Sequence, residues 1–83
     1  MKELVEYIAK SIVNDPEKVV VTEETTEQEQ GTTKQVTIVL KLQVADEDKG
    51  RVIGKQGRIA EAIRTLIRVK AAKAGIKVSL EIL

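Results

Sequence analysis

The 83-residue chain contains no cysteine and no histidine, one proline, and one aromatic residue, Tyr7. Without cysteine, neither a disulfide frame nor a thiolate metal site is possible. Without histidine, the usual general base and the commonest metal ligand are both missing. No metal, no cofactor and no enzymatic activity are therefore expected. A single ring does not make the platform on which bases stack in aromatic-rich nucleic-acid binders. Apolar runs are short and interrupted by charge, and the amino terminus lacks a signal-peptide pattern. A cytoplasmic protein without membrane contact is expected.

What is present is globular in composition, 42% hydrophobic and 33% charged. A chain this short buries only about 60–65% of its unfolded surface, so its core is thin and self-association or a partner is expected. The net charge of +1 hides an asymmetry. Met1–Asp48 carries five Lys and eleven Asp or Glu, or −6, whereas Lys49–Lys77 carries nine basic residues and Glu61, or +8. A basic block of that density is the footprint of a polyanion site, or else a solvated helix face.

Residues 2–14 read as an amphipathic helix with Leu4, Val5, Ile8, Ala9, Ile12 and Val13 on one stripe and Tyr7 packing at its rim. Asn14-Asp15-Pro16 stops it, because a residue before proline avoids helical dihedrals. Val19-Val20-Val21-Thr22 is a β-branched strand. Residues 23–35, with four glutamates around Gly31 and no apolar anchor, read as a mobile acidic loop. Val36, Ile38, Leu40, Leu42 and Val44 recur with the period of two of a strand. A short helix through about Val52 follows, then Gly54 and Gly57, then a long helix from Arg58 to Ala74 with Gly75 as its cap. Ile59, Ala62, Ile63, Leu66, Ile67 and Val69 are expected on its buried side. Val78, Leu80 and Ile82 mark a last strand. The order αββααβ, with two helices between the second and third strands, suits a right-handed crossover between parallel neighbours. The expected fold is α+β: a three-stranded mixed sheet with helices on one face, a single domain over residues 1–83.

Two glycines three apart form a weak signal alone. Here they open a long helix, whose free amides and dipole favour an anion. Lys55 lies inside the turn, Arg58 directly after it and Arg51 within one turn before it. A turn needed only for packing has no reason to be ringed by cations. Val52-Ile53-Gly54-Lys55-Gln56-Gly57-Arg58-Ile59 resembles the V-I-G-x-x-G-x-x-I signature of KH domains, and the element order is similar to their bacterial, type II form. The likeness extends along the chain to the single-domain bacterial KH proteins of the KhpA family. It takes in Tyr7-Ile8-Ala9-Lys10, the Asp-Pro stop, Val44-Ala45-Asp46-Glu47-Asp48, Ala62-Ile63-Arg64 and the closing Glu81-Ile82-Leu83.

The resemblance implies single-stranded RNA binding without catalysis, in an RNA chaperone or post-transcriptional regulator. It also implies a homodimer, or a heterodimer with a larger KH protein of the KhpB type. By the general KH mode, Gly54, Lys55, Gln56 and Gly57 hold about four nucleotides by their backbone. Ile53 and Ile59 then flank an apolar groove for unstacked bases. Arg64 either extends the phosphate track or pairs with Glu61, and Arg68 solvates an exposed face. The acidic segment 23–35 is longer than the resemblance leads one to expect. Beside the groove its glutamates would repel phosphate; they would equally serve to gate it or to make a protein contact. The competing reading is a KH-fold protein-interaction or dimerisation module with little or no RNA binding, against which the intact Lys55 and Arg58 speak. Single-stranded DNA remains open, since no residue is assigned to the 2′-hydroxyl.

Overall fold

The structure, a computed structural model, describes all 83 residues. Helix α1 (Lys2–Ile12) is followed by a 3₁₀ turn at Pro16–Lys18 and strand β1 (Val20–Gln30). Strand β2 (Thr33–Gln43) leads through a second 3₁₀ turn, Asp46–Asp48, into the short helix α2 (Lys49–Ile53). A third turn, Lys55–Gly57, opens helix α3 (Arg58–Ala74), and strand β3 (Lys77–Ile82) closes the chain. The sheet order is β1-β2-β3, antiparallel between β1 and β2 and parallel between β2 and β3. The expected αββααβ order, mixed sheet and crossover are all present.

Alternation places the core. Val21 on β1, Leu40 and Leu42 on β2 and Leu80 on β3 point to one face, where they meet Val5 and Ala9 of α1 and Ile63 and Ile67 of α3. The other face carries Thr22, Val39, Lys41 and Ser79, none of them buried. Only 15 of 83 residues are buried, so the core is as thin as the length suggests. Helix α3 ends in a Schellman motif, with Ile76 N–H donating to Ala71 O and Gly75 N–H to Ala72 O. Its buried side is narrower than expected: Ala60, Ile63, Ile67 and Ala71 face the sheet. Leu66 and Val69, each 52% exposed, lie outside it, as do Ala62 and Ile59. A helix on one sheet face needs only a single stripe, and 3.6-residue spacing leaves these four on the next. Tyr7, at 73% exposure, likewise stands off the packed side of α1.

Residues 23–35 are not a loop. They form the outer half of an 11-by-11-residue β-ribbon, in unbroken register from Val20↔Gln43 to Gln30↔Thr33. The turn is Gly31-Thr32, with φ +64° at Gly31 and no positive φ at Thr32, the pattern of a II′ hairpin. No apolar anchor was needed. The main-chain ladder, the threonines, and cross-strand pairs such as Glu27–Lys34 (3.0 Å) and Glu24–Lys41 (3.4 Å) suffice. The ribbon stretches the molecule to 46 × 21 × 17 Å, with a radius of gyration of 13.8 Å. A compact chain of this length would measure about 12 Å. Because β2 and β3 both run toward the Gly54–Gly57 turn, and β3 starts opposite Thr37, the ribbon tip extends from the opposite end of the sheet. The glutamates at the tip are therefore not beside the groove.

One polar side chain is fully buried. Asp48, 0% exposed, accepts hydrogen bonds from the main-chain N–H groups of Asn14 (Oδ1, 3.2 Å) and Asp15 (Oδ2, 3.1 Å). Its Oδ1 also faces Arg51 Nε at 3.6 Å. The carboxylate thereby ties the chain leaving α1 to the start of α2. Asp48→Ala should lower stability in urea unfolding by about 2–3 kcal/mol, since it orphans both donors. Asp48→Asn should lose less, because its carbonyl oxygen still satisfies one of them.

Candidate nucleic-acid interface

The turn between α2 and α3 has a main-chain shape that few sequences allow. Gly54 has φ 75° and ψ 177°, Gln56 φ 57° and ψ 27°, and Gly57 φ 74° and ψ 14°. Gly54 is required twice over. Its dihedrals exclude a side chain, and a Cβ there would lie 2.6 Å from Cγ1 of Ile59. Gly57 is required only for its dihedrals, since a Cβ would meet nothing within 4 Å. That open space leaves the main chain accessible to a ligand. Gln56 is the only non-glycine residue with positive φ, a strained conformation of the kind that gathers at binding sites. The change of hand from Lys55 to Gln56 is the alternation that turns successive N–H groups toward one anion. No side chain caps the start of α3. Gly54 N–H donates to Gly50 O (2.8 Å) and Gly57 N–H to Gly54 O (3.3 Å), closing the turn on itself.

Lys55, Gln56 and Arg58 are exposed. Neither Lys55 nor Arg58 has an acidic partner, as is also true of Lys2, Lys10, Lys70, Lys73 and Lys77, whereas Lys18, Lys34, Lys41, Lys49, Arg51, Arg64 and Arg68 all have one. Their charge is thus unspent within the molecule. Arg51 adjoins the turn but leans on Asp48. Ile53 and Ile59 stand on either side, 40% and 38% exposed. Arg64 is not at the turn. Its Nη2 donates to Leu80 O (3.5 Å) and its Nη1 faces Glu61 (3.8 Å), which also receives Arg68 (3.4 Å).

Arg64 instead begins a groove that residue spacing had not revealed. Between α3 and β3, Arg64, Ile67, Arg68, Val78, Ser79 and Leu80 line a depression of about 90 Å³. It adjoins a second, of about 290 Å³, through Arg68 and Val78. The signal lay in two periodicities read together: 64, 67, 68 and 71 on the helix against 78 and 80 on the strand.

The chain matches the model of the "KhpA/KhpB, KH domain" family over residues 2–82. It belongs to that family. It is 52% identical to "RNA-binding protein KhpA" of Clostridium acetobutylicum over 83 residues, covering both chains completely. It is 47% identical to the protein of that name in Listeria monocytogenes, covering 99% of it, and 46% identical to that of Chlamydia trachomatis, covering 96%. No solved structure matches. The αββααβ architecture is that of a type II KH domain, and no helix is long and apolar enough to cross a membrane.

For this KhpA/KhpB family member, Gly54→Ala and Gly57→Ala should separate in urea unfolding. Gly57→Ala should cost about 1–2 kcal/mol for its left-handed backbone alone. Gly54→Ala should cost more and shift the Ile59 methyl resonances, which Gly57→Ala leaves in place.

Proposed function

We propose that the chain binds single-stranded RNA, gripping its backbone through Gly54-Lys55-Gln56-Gly57, as an RNA chaperone or post-transcriptional regulator of the cytoplasm. The observation that carries the reading is the pair of unpartnered cations, Lys55 and Arg58, on an open glycine turn at the start of α3. The relatives named as RNA-binding proteins support it. In this reading the residues 1–83 act as one KH unit, a binding protein and not an enzyme. Main-chain N–H groups and Lys55 meet a phosphate, and Arg58 and Arg51 meet its neighbours. Ile53 and Ile59 receive unstacked bases, and Arg64 borders the continuation of the track along β3.

With roughly three to four phosphates neutralised, log affinity for single strands should fall with log salt at a slope of about −2 to −3. Lys55→Asp with Gln56→Asp should leave the circular dichroism spectrum unchanged, both side chains being exposed. RNA affinity should drop at least about tenfold, or roughly 1.4 kcal/mol. A folded double variant that binds like the parent reduces the loop to a turn.

A second reading, compatible with the first, concerns pairing as a homodimer or with a larger KH protein of the KhpB type. Ile59, Ala62, Leu66 and Val69 follow one another at intervals of three, four and three residues on the outside of α3, the spacing of a helix–helix seam. Leu66 and Val69 are half exposed. Leu66→Glu with Val69→Glu should convert a dimer to a monomer in sedimentation without unfolding it. A parent chain that is already monomeric at high concentration overturns the homodimer.

A further inference from the structure

Strand β1 forms one border of the sheet, and no element pairs with its outer side. Leu83 N–H donates to Leu42 O at 2.9 Å, so Leu42 turns its main chain toward β3. Its partner Val21 therefore turns away from β2, and so does every second residue up to Glu29. The result is an open ladder over Thr22–Gln30, nine exposed residues of β1 beyond the buried Val21, where a mean strand has about 5–6. Proteins blunt such an edge with proline, a bulge, brevity or charged side chains, lysine above all. Here register is unbroken and β1 holds neither proline nor lysine. It holds four glutamates, of which Glu23 and Glu29 have no ion-pair partner.

This pattern is selective rather than merely protective. Two β1 strands side by side would bring glutamates against glutamates, which disfavours a second copy through this edge. A strand bearing cations on one side would find the opposite. Glu23, Glu27 and Glu29 project to one face of the ribbon, since they are separated by even numbers of residues. We infer that β1 is a docking edge for a protein partner, which adds a lysine- or arginine-bearing extended segment as a fourth strand. Main-chain hydrogen bonds supply the attachment and the glutamates its charge preference. The site lies toward the end of the sheet away from Lys55, and it stands independently of the RNA reading.

The test uses the full chain and a synthetic peptide of about nine residues, enough at ~3.4 Å per residue to cover most of β1, with lysine at every second position between valine and threonine. Bound peptide should slow hydrogen exchange at Glu23, Thr25, Glu27 and Glu29. Methylating its main-chain nitrogens at every residue keeps the charge and removes the ladder donors whichever way the peptide runs, and should weaken binding at least about tenfold. So should Glu23→Gln with Glu27→Gln and Glu29→Gln. Thr25→Pro removes one outward N–H without touching the β1–β2 ladder, and should abolish protection while leaving the core spectrum intact. Equal binding of the N-methylated peptide, protection at β3 instead, or absence of binding each overturns the inference. Concentration-dependent self-association erased by Thr25→Pro overturns it too, by showing a second copy at the edge.

Discussion

A carboxylate withdrawn from water must be satisfied or the fold loses several times what one hydrogen bond contributes, and Asp48 meets that condition only in one arrangement. Its oxygens need two main-chain donors, supplied where α1 unwinds before Pro16. The donors are available only because proline stops the helix there and frees them. Asp48 lies next to α2, and α2 ends at Gly54, so the corner that satisfies the buried charge also sets where the glycine turn begins. Val52, fully buried one turn later, anchors the same face of that helix. A thin core gains specificity from such a polar contact, which admits fewer alternatives than apolar packing does.

The fold was largely legible because its elements obey the two simplest periodicities. The alternation from Val36 to Val44 and the stripe of α1 each mark one buried face, and Gly75 marks a helix end by the dihedral it alone adopts easily. What misled was the equation of missing apolar residues with missing structure. Residues 23–30 bury nothing, yet they pair with a strand whose own register is set by Leu40 and Leu42 inside the core. Helix α3 misled in the other direction: apolar residues at Leu66 and Val69 suggested burial, and the sheet covers only the neighbouring stripe.

At the candidate site, the turn and its cations could be read directly, since glycine and charge carry their meaning locally. The role of Asp48 could not. Among Asp46, Glu47 and Asp48, spacing does not say which one turns inward, and its donors lie more than thirty residues away. The groove beside β3 was hidden for the same reason, as it belongs to two elements that only the crossover brings together.

The parallel pairing of β2 with β3 has a kinetic side. Thr37 meets Lys77 across forty positions of chain, so β3 docks only after both intervening helices have turned back. The β1–β2 hairpin closes through a two-residue turn and zips on a scale of about 1–10 μs, well ahead of that return. For the interval between, the edge of β2 that carries Ile38, Leu40 and Leu42 is a half-finished sheet open to any strand at hand. The ribbon, polar on nearly every outward position, keeps one flank of this intermediate in water while the other awaits β3. Length that adds nothing to the core thus adds no apolar surface to that intermediate, whose β2 edge closes only when β3 arrives.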